Sequence, residues 1–191
     1  MTKFLLTAAM VMCVCCATPA FSQTPRAEIF GGYSWARQGG VNISKGWNGS
    51  VAGNFNRWLS VEGDVSGHNY ALDTPGTVIQ GDVSFLSYRF GPKFSFRSED
   101  SPVTPFTHFL LGGVRTKITG TGSVLGTNFN VSQSSNDLAC LIGGGIDIGK
   151  GTIGVRVIQA DYSAFQVIDP FGVSIRANGV RLSTGVVFRF K

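Results

Sequence analysis

Apolar and polar residues alternate along most of the chain after residue 25, as in β-strands that have one apolar and one polar face. The alternation is clearest at 180–190, where the intervening positions include Arg181, Ser183 and Arg189, and it recurs at 47–55 and 59–66. No later stretch of about 18 apolar residues is present, so any membrane span would have to be built from strands rather than helices.

The alternation predicts about eight strands. They lie near residues 26–36, 46–56, 58–67, 81–97, 103–115, 137–149, 151–163 and 179–190. The predicted connections are alternately short, at 56–58, 98–102 and 149–151, and long, at 37–45, 68–80, 116–136 and 164–178. Tight turns on one rim and long loops on the other are typical of a transmembrane antiparallel up-and-down β-barrel. The predicted fold class is therefore all-β.

Composition supports a β-rich membrane protein over a water-soluble α/β enzyme, because the chain has 26 glycines, 15 phenylalanines and only 14% charged residues. The formal net charge is +5, but the basic residues are scattered, so no nucleic-acid partner is expected. Glycine pairs such as Gly112-Gly113 fall inside predicted strands, where they would allow bending and close approach of neighbours.

The N-terminus has the three parts of a secretory signal peptide: Lys3, an apolar stretch from Phe4 to Cys16, and small residues that lead to Ser22. We therefore expect residues 1–22 to be a signal peptide for export through the Sec pathway, and residues 23–191 to be the barrel domain. The mature chain then keeps only Cys140, which excludes an intramolecular disulfide. The expected location is the outer membrane of a Gram-negative cell envelope.

The parity of the strands places most of their charges on the polar, inward face. These residues are Glu28, Glu62, Asp64, Arg89, Lys93, Asp147, Arg156, Arg181 and Arg189. The four acids and five bases predict a nearly neutral lumen. Glu62 and Asp64 come roughly level with Lys93 and Arg89 on the next strand, which predicts an ion-pair network. A structural role for this network is favoured over gating, because a small barrel is too narrow to conduct freely.

Arg156 and Asp161 have opposite parity on one predicted strand, so a regular strand cannot turn both inward. Either a β-bulge separates them or Asp161 stands beyond the membrane rim.

No catalytic, cofactor-binding or metal-binding residues are predicted. His68 falls in a predicted surface loop, and His108 lies on the inward parity, where a hydrogen-bonded lumenal histidine is favoured over a general base beside an unidentified serine. A zinc site would need several nearby His or Cys ligands, which the mature chain does not offer.

The chain resembles the OmpA-like small outer-membrane β-barrel family over essentially the whole mature sequence. The segments that carry the resemblance are 28–34 (EIFGGYS), 91–94 (GPKF), Asp161-Tyr162 and 181–190 (RLSTGVVFRF). The resemblance implies that a terminal aromatic, Phe190 together with Phe188, is the signal by which the barrel-assembly machinery selects the chain, after periplasmic chaperones deliver it. Lys191 departs from the family, whose members more often end on the aromatic.

These observations predict a non-enzymatic outer-membrane barrel with a structural or surface-interaction role, exposing its long loops outside and its short turns to the periplasm. It is expected to be a monomer in contact with outer-membrane lipid and lipopolysaccharide. Two alternatives stay open: a narrow channel for small solutes, which predicts discrete conductance in planar bilayers, and a lipid-modifying barrel enzyme that uses His108.

Overall fold

The computed structural model describes residues 25–191 except 39–40, 74–79, 99, 125–126 and 169–173, so the predicted signal peptide at 1–22 lies outside the described residues. The described chain forms nine β-strands: β1 (Ala27–Gln38), β2 (Val41–Ile43), β3 (Lys45–Asn54), β4 (Leu59–Asp73), β5 (Gln80–Ser95), β6 (Val103–Val124), β7 (Thr127–Ile148), β8 (Ile153–Ile168) and β9 (Ser174–Phe190).

The strands close into one antiparallel barrel. From β3 onward each strand pairs with the next along the chain, and β1 pairs with β9 from Ala27↔Phe190 to Gln38↔Gly179. Strands β2 and β3 both pair with β1 and are separated only at Ser44, so together they form one wall of the barrel. The predicted fold is thereby confirmed: the protein is an eight-stranded up-and-down β-barrel.

Short turns connect the strands at one end of the barrel, at 55–58, 96–102 and 149–152. At the same end β1 begins and β9 ends. We call this end the terminal rim and the opposite end the loop rim. In the first turn the side-chain oxygen of Asn56 accepts hydrogen bonds from the backbone N–H groups of Trp58 and Leu59, at 2.9 and 2.7 Å. Such an Asx turn fixes a tight reversal.

The strands are longer at the loop rim than predicted. The expected loop at 116–136 is wrong: β6 and β7 stay paired in a continuous ladder from Val103↔Ile148 to Val124↔Thr127. The segments expected as loops at 37–45, 68–80 and 164–178 likewise contain strand residues. The prediction failed because it followed apolar alternation, whereas backbone pairing continues beyond the apolar surface without needing it.

The outer surface of the barrel is apolar, as the alternation predicted. Large hydrophobic side chains are exposed on the outward positions, among them Trp47, Val51, Val61, Phe90, Leu111, Ile142, Tyr162, Val186 and Phe188. On β6 and β7 this belt ends near Leu111 and Leu138, and the next outward residues include Arg115, Lys117 and Asn136. The paired hairpin 115–136 therefore projects beyond the belt at the loop rim. Among the described residues no helix has the length and apolarity required to cross a membrane.

Two strands approach each other very closely at Gly112. A Cβ atom at this position would overlap the carbonyl oxygen of Tyr88 on β5, whereas a Cβ at Gly63, on the outer surface of β4, would meet nothing within 4 Å. Glycine at 112 therefore lets β5 and β6 pack at the curvature of a small barrel, as predicted for the glycine pairs.

We expect Gly112→Val to lower the yield of folded barrel sharply, because backbone carbonyls cannot move aside as a flexible side chain can. Heat-modifiable migration on gels, which separates folded from unfolded barrels, measures the effect. The matched substitution Gly63→Val adds the same side chain in open space and should fold normally. Equal yields for the two variants would show that the close approach at Gly112 does not limit folding.

Candidate functional site

The lumen contains the charged residues that the sequence placed on the inward face. Eight of the nine are buried, and the side chain of the ninth, Arg189, is 10% exposed. Three further residues that belong to the same interior are Arg97, His108 and Asp161. The interior thus holds a dense set of ionised groups, whose arrangement determines what the lumen can do.

Nearest the terminal rim, Glu28 contacts three cationic side chains. Its carboxylate lies 3.3 Å from Lys93 Nζ, 3.0 Å from Arg97 Nη2 and 3.5 Å from Arg189 Nε. Lys93 also lies over the ring of Phe106, with Nζ 4.5 Å from its centroid. One carboxylate thereby joins β1 to β5, to β9 and to the turn after β5.

Arg156 forms the next layer. Its Nε and Nη2 donate to the two carboxylate oxygens of Asp147, at 2.7 and 3.1 Å. Its guanidinium lies between two inward aromatic rings, 4.2 Å from the centroid of Phe30 and 4.3 Å from that of Phe106. Such stacking partly replaces the hydration that a buried guanidinium loses.

His108 spans the middle of the lumen. Its Nδ1 lies 2.8 Å from Glu62 Oε2 and its Nε2 lies 2.9 Å from Asp161 Oδ1. Glu62 is on β4 and Asp161 on β8, which stand on opposite sides of the eight-stranded barrel, with His108 on β6 between them. One imidazole ring therefore connects opposite walls.

Arg181 on β9 completes a closed circuit. Its Nη1 and Nη2 donate to the two oxygens of Asp64, at 2.8 and 3.0 Å, and its Nε donates to Asp161 Oδ2 at 2.8 Å. Because Asp64 and Glu62 are neighbours on the inner face of β4, the contacts run around the lumen and return to their starting strand. We call this set the cross-lumen ring: Glu62, Asp64, His108, Asp161 and Arg181.

A β-bulge makes the ring possible, which confirms the bulge alternative of the sequence analysis. The pairing of β8 with β9 shifts between Arg156 and Gln159, and Val157 and Ile158 are both exposed on the outer surface, at 50% and 46%. The extra residue reverses the parity of β8, so that Arg156 and Asp161 both face inward.

The ion pairs differ from the level-by-level pairs that the sequence suggested. Asp64 does stand directly opposite Arg89 in the register of β4 and β5, but its carboxylate is bound by Arg181 from across the lumen. Lys93 pairs with Glu28, while Glu62 accepts from Ser50 at 2.6 Å and contacts His108. Side chains this long reach across a narrow lumen as readily as along a wall.

The interior holds more charged groups than predicted, but lysines and arginines again exceed carboxylates by one. The described interior has five carboxylates, those of Glu28, Glu62, Asp64, Asp147 and Asp161. Against them stand six lysines and arginines, Arg89, Lys93, Arg97, Arg156, Arg181 and Arg189, in addition to His108. The sequence analysis left out Asp161 because of its parity and did not consider Arg97.

His68, Phe30 and Phe106 are among the other interior residues that sequence reasoning missed. His68, expected in a surface loop, lies on β4, is 5% exposed, and has Nε2 at 3.0 Å from Ser34 Oγ. Phe30 and Phe106 point inward against Arg156 rather than outward to lipid. Strand parity could have predicted their inward orientation, because Phe30 lies two residues from Glu28 and Phe106 lies two residues from His108.

The arrangement leaves His108 little chemistry. Carboxylate oxygens only accept, so both ring nitrogens donate to them and no lone pair is left to take a proton from a substrate. The residue is also 1% exposed. Within the described residues, no group of three or more His, Cys, Asp or Glu is placed to hold a metal ion.

No family model and no curated protein matches the chain. Its fold is similar to that of Ail, the attachment invasion locus protein of Yersinia pestis, with a TM-score of 0.56 and 20% identity over 87% of this chain and 100% of that one. Ail in complex with the heparin analogue sucrose octasulfate gives a TM-score of 0.52 and 20% identity, over 85% and 96%. Neisserial surface protein A gives 0.46 and 17%, over 86% and 96%.

These similarities concern the fold alone. The chain has the fold of the small eight-stranded outer-membrane β-barrels, and the resemblance to the OmpA-like barrels is confirmed at that level.

We expect Asp161→Ala to lower the free energy of unfolding by about 3–5 kcal/mol, because it leaves Arg181 and His108 buried without one of their carboxylates. Urea unfolding in phospholipid vesicles, followed by tryptophan fluorescence, measures the change. Asp82→Ala removes an exposed carboxylate from β5 and should cost less than about 0.5 kcal/mol. A similar small loss for Asp161→Ala would mean that the ring does not stabilise the barrel.

Proposed function

We propose that the protein is a non-enzymatic barrel of the outer membrane that acts at its loop rim, by contact with anionic molecules outside the cell. The barrel serves as a rigid scaffold that is stabilised by ion pairs across its lumen. The observation that carries this proposal is the combination of an interior filled by paired charges with a β-hairpin, 115–136, that projects beyond the apolar belt. Rigid barrels commonly place their specificity in such projecting segments.

Filled space in the lumen weighs against the channel alternative. The residues of the cross-lumen ring are at most 4% exposed, and Arg156 and Phe106 occupy the layer next to it. A solute would have to break several buried ion pairs to pass, at a cost of several kcal/mol for each. The enzyme alternative is weakened by the burial of His108 and by the use of both its ring nitrogens.

The charge of the loop rim suggests the chemistry of the partner. Arg37, Lys45, Arg115 and Lys117 are exposed near this rim, whereas Asp82 is an exposed acid and Asp137 a half-buried one. Ail, whose fold is similar, is described in complex with a heparin analogue, sucrose octasulfate. We therefore infer a polyanionic glycan as the partner class, bound mainly by electrostatic attraction.

The route to the membrane is part of the same proposal. A signal peptide at 1–22 would direct Sec export, and periplasmic chaperones would deliver the chain to the barrel-assembly machinery. Phe188 and Phe190 are exposed on the outer surface of β9, at 43% and 47%, and β9 closes the barrel against β1. An aromatic signal on the closing strand is accessible before closure takes place.

Retention of the folded protein on immobilised heparin at low salt tests the proposed partner class. We expect the double variant Arg115→Gln/Lys117→Gln to bind about two- to thirtyfold more weakly, from about 0.2–1 kcal/mol for each exposed charge contact. The matched control is Arg26→Gln/Arg57→Gln, which removes two exposed charges at the terminal rim. Equal weakening in both variants would indicate a non-specific effect of net charge and contradict a site at the hairpin.

A further inference from the structure

A small recess lies inside the barrel at its loop end. It is partly open, and the empty space of about 390 Å³ measured there includes open solvent. Its lining contains two inward arginines and a histidine, Arg89, Arg181 and His68, and no carboxylate. One wall is apolar and formed by Phe85, Val114 and Leu141. The recess stands on the loop-rim side of the cross-lumen ring and is separate from the projecting hairpin.

Arg89 is the unusual member of this lining. Its side chain is buried, at 6% exposure, and its Nε has no hydrogen-bond partner within the described chain. Among the buried lysines and arginines of the described residues, it alone has no carboxylate oxygen within 4.0 Å. Each of the other inward lysines and arginines that the structure describes contacts a carboxylate.

The neighbouring acid is not free to pair with Arg89. Asp64 faces Arg89 across the β4 and β5 ladder, but it already accepts both Nη groups of Arg181, and Asn48 Nδ2 donates to its Oδ2 at 2.7 Å. A buried guanidinium without an acid partner costs several kcal/mol. Each of the five carboxylates in the described part of the lumen already contacts another basic side chain.

We propose that the recess is a binding site for a small organic carboxylate, held by the guanidinium of Arg89. A planar carboxylate matches the donor fork of arginine. The hydroxyls of Ser66 and Ser87 lie in the same lining and are hydrogen-bonded to each other at 2.9 Å, which leaves at most one hydroxyl proton to donate to a ligand. The apolar wall fits a short alkyl group, which distinguishes an organic acid from an inorganic oxyanion.

Binding of propionate to the folded barrel in detergent micelles tests the proposal. With arginine side chains labelled with ¹⁵N, the Nε–Hε signal of Arg89, identified by its loss in Arg89→Met, should shift and saturate with propionate but not with sodium chloride at equal ionic strength. Arg115, exposed on β6, serves as the internal control and should not saturate. The absence of a saturable shift at Arg89 would overturn the site.

The urea midpoint of unfolding gives a second measurement of propionate binding, independent of the NMR signal. Propionate should raise the urea midpoint of the natural protein, because a ligand that binds only the folded state stabilises it. In Arg89→Met the apparent affinity should fall about tenfold or more, the usual loss for a charge-assisted bidentate contact. Undiminished affinity in Arg89→Met would contradict the role of Arg89, and tighter binding of sulfate than of propionate would contradict the carboxylate assignment. Neither readout depends on heparin binding at the hairpin, so the two proposals can fail separately.

Discussion

Ionised side chains inside an eight-stranded barrel must find partners within the barrel, because its lumen is too narrow to hydrate them as bulk water would. This requirement organises the interior. Arg181 bridges Asp64 and Asp161, and His108 joins Asp161 to Glu62, so that β4, β6, β8 and β9 are tied together through the centre. The β-bulge in β8 follows from the same constraint, since a regular strand would turn either Arg156 or Asp161 into lipid.

The same interactions underlie the proposal that the protein acts at its loop rim. A ring of buried ion pairs crosses the middle of the lumen, and it uses both ring nitrogens of His108. The loop rim has no such constraint. There the hairpin of β6 and β7 continues beyond the apolar belt. Arg89 lines a recess near the same rim and has no carboxylate partner among the described residues.

The fold could be predicted from the sequence because lipid and lumen impose a period of two on every strand within the membrane. That period located the C-terminal strand and the inward Arg181 correctly. Beyond the apolar belt the alternation disappears while backbone pairing continues, which is why the hairpin at 116–136 was mistaken for a loop. Parity also indicates which wall a charge belongs to, but not which partner it reaches across the lumen. The contact of Arg181 with Asp64, between residues 117 positions apart, was for that reason beyond sequence reasoning.

The central claim is that cross-lumen ion pairing holds the barrel together, and a double-mutant cycle on Arg181 and Asp64 tests it most directly. The free energies of unfolding of Arg181→Met, Asp64→Asn and the double variant would be compared with that of the natural protein in phospholipid vesicles. We expect the double variant to lose less than the sum of the single losses, with a coupling of about 1–3 kcal/mol. Losses that add to within about 0.5 kcal/mol would contradict the claim.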